Sequence, residues 1–367
     1  MFKLLKTNKN GIRNGVISLK NGEIKTPLFM PDATRGFVKL LSSEDVKKTK
    51  TEVMVINTFH LYLQPGIDVI KAAGGVHNFM GFDGPLLSDS GGFQVFSLIH
   101  NNKKMGKITD EKVIFKSPLD GTWHDLSPEK SIQIQFDLGV DMMVCLDDCP
   151  PNDFSRPQLE DAVKRTVAWA KRCKAEYKKQ IKKRKLVGKN RPLLFAVIQG
   201  GAEIDLRRLC AKELQKIGFD GYGFGARPVD RDGNFLEDVL RQSAQFIPED
   251  ALRFALGVGT PEDIARCVKL GWDMFDCVIP TREGRHGKLF LKKNDTYETI
   301  NIRNFKFSRD FNKIQKNSAF ADLKNNSFSF LHHLFKSKDA LGQKLASINN
   351  LEFYQAWLKD IRSLNNK

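Results

Sequence analysis

The chain has 367 residues, 41% of them hydrophobic, and a formal net charge of +16; at this length it buries a large core, as one big α/β domain with an appendage or as two ordinary domains. No stretch reaches the apolar length that spans a bilayer, and Met1-Phe2-Lys3-Leu4-Leu5-Lys6 lacks the apolar segment and cleavage site of a secretory leader, so a cytoplasmic protein is expected. The basic excess points to a polyanionic partner, nucleic acid first, and the six cysteines, none in a C-x-x-C pair, read as small buried hydrophobes in a reducing compartment.

The first legible element is a hairpin: Val16 to Leu19, an Asn21-Gly22 turn that supplies positive φ, then Ile24 to Met30. Short apolar runs then alternate with helical stretches. The runs are Pro27 to Pro31, Val53 to Asn57, Pro85 to Asp89, Met142 to Asp147, Leu193 to Gln199, Tyr222 to Gly225, Phe254 to Val258 and Asp273 to Ile279. Runs apolar on both faces suit parallel strands covered on both sides. Ser127-Pro128-Glu129 and Thr260-Pro261-Glu262 each offer an N-cap followed by proline at the first helical position, with Gly139 and Gly271 as stops. A helix from Leu159 carries Val163, Val167 and Ala170 on one face and runs into the basic stretch Lys178 to Lys185, expected to be a solvated face. About eight βα units without a G-x-G-x-x-G after the first strand favour a (β/α)₈ barrel over an open sheet. The expected division is a barrel with its N-terminal hairpin over 1–290 and a small helical subdomain over 291–367.

In a barrel the chemistry sits at the C-terminal strand ends. Those ends read Asn57, Asp89, Asp147, Gln199, Gly225, Gly257 and Asp276, a polar set that is costly to bury without a ligand or mutual hydrogen bonds. Carboxylates accept from the ring and exocyclic N–H groups of a purine, and an amide donates to its carbonyl; guanine presents that combination. Phe93 supplies a stacking face. A further carboxylate below the sugar can attack the anomeric carbon, as in retaining glycosidases, with a second as proton shuttle. Asp276 stands beside a loop with Arg282, Arg285 and His286, where guanidinium forks suit phosphate; the plainer reading is a helix cap beside solvated charges.

The sequence resembles the bacterial tRNA-guanine transglycosylases along nearly its whole length. The resemblance rests on Thr26-Pro27 to Met30-Pro31, Asn57-Thr58-Phe59-His60-Leu61, Pro65-Gly66 and Asp89-Ser90-Gly91-Gly92-Phe93-Gln94. It continues in Ser127-Pro128-Glu129, Gln199-Gly200-Gly201, Phe219-Asp220-Gly221-Tyr222, Gly257-Val258-Gly259, Asp273-Met274-Phe275-Asp276-Cys277, Pro280-Thr281-Arg282 and Arg285. It implies a barrel enzyme, a homodimer, that exchanges the wobble guanine of certain tRNAs for a 7-deazaguanine without ATP. By the same resemblance Asp276 is the nucleophile and Asp89 the proton shuttle. Ser90, Asp147, Gln199, Gly200 and Ala226 fall where the base binds, Phe93 and Leu256 sandwich its ring, and Arg282 and Arg285 grip the anticodon loop.

Two departures stand out. The family's zinc ligands, three cysteines and a histidine, fall on Ser318, Phe320, Leu323 and Asn349, so no zinc is expected; His332 and His333 make a poor substitute. Apolar packing is expected instead, with Tyr354, Trp357, Leu358 and Ile361 striping the last helix. Where the family places a glutamate that receives the aminomethyl group of its base, the loop Ala226 to Arg231 has Arg231, with Arg227 near the pocket and Asp230 as the available carboxylate. This leaves the incoming base open. The alternatives are a non-catalytic tRNA-binding subunit, against which the intact carboxylates argue, and a transglycosylase acting on a different nucleic acid.

Overall fold

The computed structural model describes residues 1–151, 154–230, 232–294 and 296–363. Eight parallel strands form its centre: β1 (Leu28–Pro31), β2 (Met54–Asn57), β3 (Leu86–Asp89), β4 (Met142–Val144), β5 (Leu193–Ile198), β6 (Gly221–Phe224), β7 (Leu252–Ala255) and β8 (Met274–Cys277). They pair in the order β1-β8-β7-β6-β5-β4-β3-β2. The ring closes where Asp32 bridges Val55 in parallel and the Ala33 N–H donates to the Val55 carbonyl at 2.7 Å. This is the (β/α)₈ barrel expected from the spacing of the apolar runs.

Alternation of side chains along each strand divides the core into two layers. Met30, Val55, Leu87, Val144, Phe195, Val197, Phe254 and Met274 point inward and meet Ile17, Leu19 and Ile24 of the N-terminal hairpin, which plugs the barrel floor. The other face of each strand packs on the surrounding helices, with Trp169 and Trp272 fully buried. Each such apolar side chain contributes about 1.5–3 kcal/mol through its removal from water.

Several boundaries differ from the sequence reading. The hairpin's second arm is only Gly22–Lys25, because the chain from Leu28 leaves it to pair with β8; a further strand, Phe2–Thr7, extends the hairpin to three strands. β4 stops at Val144, and Asp147 stands beyond it in a loop. β7 spans Leu252–Ala255, because Gly257 takes φ +72° and turns the chain off the ladder. The largest change is after β8. The expected arginine loop is a helix, Ile279–Arg285, with Pro280 in its first turn, where the fixed φ of proline starts a helix.

The capped helices are as read: Ser127 accepts from the Lys130 N–H and Thr260 from the Asp263 N–H. The basic stretch ends the 29-residue helix Arg156–Arg184. That helix starts near the C-terminal strand ends and returns toward the start of β5, so its lysines lie at the barrel face opposite Asp276. Helix Ala340–Ser363 braces the region after β8: Asn350 Nδ2 donates to the carbonyls of Pro280 and Lys288, each at 2.9 Å, and the Tyr354 hydroxyl donates to Gly259 O at 2.7 Å. Tyr354, Leu358 and Ile361 are buried in the predicted stripe.

Candidate active site

The C-terminal strand ends bring Asp89, Asp147, Gln199 and Asp276 to one mouth, together with an acidic residue that sequence reasoning passed over. Asp32 follows β1 directly, at the closing seam between β8 and β2. Its carboxylate accepts from the Thr34 N–H at 2.6 Å, and its charge reaches both Asp89 and Asp276. The signal was available, since Asp32 directly follows the first apolar run as the other polar residues follow theirs.

Asp89 ends β3 in a nest of donors. Asn57 Nδ2 donates to it at 2.5 Å, the Thr58 N–H at 3.1 Å and the Gly91 N–H at 3.0 Å. Burial nevertheless raises its pKa to about 7; the backbone donors oppose the rise, and the charges of Asp32 and Asp276 add to it. Asp276, half-buried at the end of β8, accepts from the Gly257 N–H at 3.0 Å. Burial also lifts it to about 7, with Asp32 adding. Two neighbouring carboxyls that titrate near neutrality can divide the roles of anion and proton donor.

A second polar group follows the next strands. Asp147 is buried and accepts from Gln199 Nε2 at 2.6 Å. Burial raises it to about 7 against that hydrogen bond, and the charge of Asp148 adds to the rise. Gln199 Oε1 is buried without a protein partner among the described residues, and one hydrogen of Nε2 remains beyond the bond to Asp147. Gly225 is required here, because a Cβ on it would lie 2.4 Å from the Gln199 amide. Ser90 is buried, and its Oγ accepts from the Gly92 N–H at 3.2 Å. Gly200 follows Gln199 directly. Phe93 is 48% exposed on helix Gly92–Asn101, its ring free for stacking. Leu256 leans from the end of β7 over Gly223, where a Cβ would meet it at 2.5 Å.

Arg207 is the second residue that the sequence reading missed. Fully buried, it donates to Gly201 O at 2.6 Å, Ile198 O at 3.0 Å and Gly225 O at 3.0 Å, tying the loop after β5 to the end of β6. Its guanidinium lies 3.8 Å over the Phe224 ring, and burial lowers its pKa to about 9. The signal was an arginine in step with Cys210, Ala211 and Leu214 on an apolar helix face.

Arg282 is exposed, and among the described residues its side chain pairs with its neighbour Glu283, at 3.4 Å. Arg285, three residues on, is partly buried, and one of its terminal nitrogens has no protein partner among the described residues. His286 is exposed at the helix end. In the C-terminal region Ser318, Phe320, Leu323 and Asn349 are all buried. Phe320 and Leu323 have no donor atoms, Ser318 Oγ accepts from the Phe320 N–H at 2.9 Å, and Asn349 donates to Phe290 O at 3.1 Å. Such a set does not suit zinc. His332 is buried with Nδ1 bonded to Ile302 O at 2.7 Å. Arg231 lies outside the described residues, and no described helix is long and apolar enough to cross a membrane.

The family profile described as queuine tRNA-ribosyltransferase matches residues 8–364. A protein of that name from Francisella tularensis subsp. novicida is 42% identical over 361 residues, covering 98% of this chain and 93% of its own. Namesakes from Staphylococcus haemolyticus and Vibrio atlanticus are 39% and 40% identical, each across 98% of this chain and 91% of theirs. The chain belongs to the queuine tRNA-ribosyltransferase family.

Proposed function

We propose that the protein is a tRNA-guanine transglycosylase in which Asp276 and Asp89 share the chemistry of base exchange. The observation that carries the assignment of roles is the pair of carboxyls at the ends of β8 and β3, both raised to about 7. An Asp276 carboxylate oxygen attacks C1′ of the wobble ribose. The C1′–N9 bond breaks, its electron pair leaves with guanine, and Asp89 gives that base a proton. A 7-deazaguanine then enters. Asp89 takes its N9 proton, N9 attacks C1′, and the ester to Asp276 breaks with its electrons returning to the carboxylate. Asp147 accepts from the N1–H and exocyclic amine of each base, while Gln199 and the Gly200 N–H donate to O6. Phe93 and Leu256 cover the ring faces.

Arg282 and Arg285 hold phosphates beside the reacting nucleotide, supported by their spacing on one helix and the unpartnered Arg285 nitrogen. The protein works without zinc, because none of the four replacing side chains offers a thiolate or imidazole. It acts as a homodimer in the cytoplasm; light scattering that gave a monomer at assay concentration would remove the dimer.

The test is incorporation of labelled guanine into a tRNA with guanine at the wobble position, beside Asp276→Asn. The native protein exchanges and forms a covalent protein–tRNA adduct that survives denaturation, and the variant does neither. An adduct of undiminished yield with Asp276→Asn would assign the nucleophile elsewhere.

A further inference from the structure

We propose that Arg227 selects the incoming base: the site takes 7-deazaguanines whose C7 substituent is an uncharged or anionic hydrogen-bond acceptor, and discriminates against a cationic aminomethyl group. The inference rests on the base-exchange reading above and names the substrate class for it.

The order of residues round the barrel fixes which part of the base meets Arg227. Asp147 follows β4, Gln199 follows β5, and Ala226-Arg227 follows β6, three adjacent strands. Round the edge of guanine the groups run N1 and N2, then O6, then position 7, in the same sense. With Asp147 on N1 and N2 and Gln199 on O6, the C7 substituent is directed at Ala226 and Arg227. Ala226 holds φ +69°, a conformation that L side chains avoid. Its N–H and the Gln199 amide both lie beside the Cys149 thiol.

A cavity of about 570 Å³ opens at that point, lined by Phe93, Cys149, Pro150, Arg227, Val229 and Asp230 among others. Phe93 belongs to both the ring seat and the cavity, so the two are continuous. Among the described residues two charged groups line it, and they are not equivalent. Asp230 is spent on its own loop, accepting from the Asn234 N–H at 2.7 Å, the Asp232 N–H at 2.9 Å and Asn234 Nδ2 at 3.0 Å. Arg227 is exposed and makes no hydrogen bond or ion pair with any described residue. Asp230 stays anionic, but its oxygens are turned to its own loop, and the donors left for a substituent are those of the Arg227 guanidinium. A guanidinium offers donors to a nitrile or carboxylate and repels an ammonium.

The experiment compares 7-cyano-, 7-carboxy- and 7-aminomethyl-7-deazaguanine as replacements for labelled wobble guanine in tRNA. Native protein, Arg227→Ala and Arg227→Glu are each scored by the ratio of kcat/KM between bases, which is independent of overall activity. The native protein is expected to favour the cyano or carboxy base over the aminomethyl base by about tenfold or more, and Arg227→Glu to reverse the order. An aminomethyl preference in the native protein, or a ratio unmoved by both substitutions, overturns the proposal. Calorimetric binding of the three free bases to the native protein should rank them in the same order without any variant, and tightest binding of the aminomethyl base would equally overturn it. If folded native protein fails to exchange labelled guanine, which has no C7 substituent, the base-exchange reading falls instead.

Discussion

Gln199 donates its side-chain amide to the Asp147 carboxylate at 2.6 Å, so the two residues assigned to the base's polar edge are oriented by each other before a base arrives. Burial of the pair has a cost, because it raises the Asp147 carboxyl from 3.8 to about 7 against the Gln199 hydrogen bond. Asp147→Asn separates the two effects. Loss of a charged acceptor for two base N–H groups raises KM for the free base by about 10- to 100-fold. Stability moves the other way. A folded-state pKa above the unfolded value means that ionisation destabilises the fold, a cost that grows from pH 4 to 7 and is constant above. The asparagine variant never bears it. At pH 8 it gains at most about 4 kcal/mol over the native protein, shrinking as pH falls toward 4. Calorimetric melting at pH 8 and pH 5 reads the difference; a variant less stable at both would refute the account.

Asp32 adds negative charge to both Asp89 and Asp276. The proposed attack requires the Asp276 anion, so kcat/KM is expected to fall as pH drops through about 7. Neutralising its neighbour with Asp32→Asn lets Asp276 ionise at lower pH, and the acid limb of the pH–rate profile moves down. Asp89 also loses a repulsive neighbour, so the alkaline limb, which reports the loss of its proton, moves in the same direction. Limbs that stay in place would show that burial alone sets both groups.

Most of the barrel was legible because its signals are local: eight apolar runs, each with a polar residue at or soon after its end, and helix caps such as Ser127 and Thr260. Asp147, Gln199 and Asp276 could be assigned to one mouth because topology places every strand's C-terminus on the same side. What escaped depends on long-range closure. That the charge of Asp32 reaches Asp276 follows from β1 pairing β8 across the whole chain, and that Arg207 holds Gly225 follows from helix packing. The helix at Ile279–Arg285 reads as a loop in the sequence because Pro280 looks like a stop, when at a helix's first turn it is a start. The register of Phe2–Thr7 is set by its partner strand, which a single sequence does not display.

Arg282 and Arg285 lie one helical turn apart, past the strand that carries Asp276. Both are expected to bind phosphate, and removing either cation takes its share of counterion release away from binding. Arg282→Ala and Arg285→Ala should each raise KM for tRNA several-fold and flatten the plot of log affinity against log salt by roughly 0.7–0.9. Filter binding from 50 to 200 mM salt checks this. Weakened binding with the native slope would mean that these arginines act by shaping the helix and not by touching the backbone. Arg285 is the more exposed to that objection, since burial already lowers its pKa.

Where the family resemblance places zinc ligands, this chain has a small packed knot. Leu323 is completely buried, and the Lys48 ammonium lies 4.7 Å over the Phe320 ring. Asn349 is hydrogen-bonded to the strand carbonyl of Phe290, and the neighbouring Asn350 reaches Pro280 and Lys288, so the knot is continuous with the support for the helix after β8. Metal analysis of purified protein should find zinc well below one per chain, and a chelator should leave Tm unchanged. Leu323→Ala should instead cost about 2–5 kcal/mol, the range for emptying a fully buried leucine site. Because the knot adjoins the brace on the Ile279–Arg285 helix, that loss should appear in KM for tRNA before it appears in exchange of the free base. Stoichiometric zinc, or a Tm that drops with chelator, would show that other donors hold the metal and that the apolar contacts are not what replaced it.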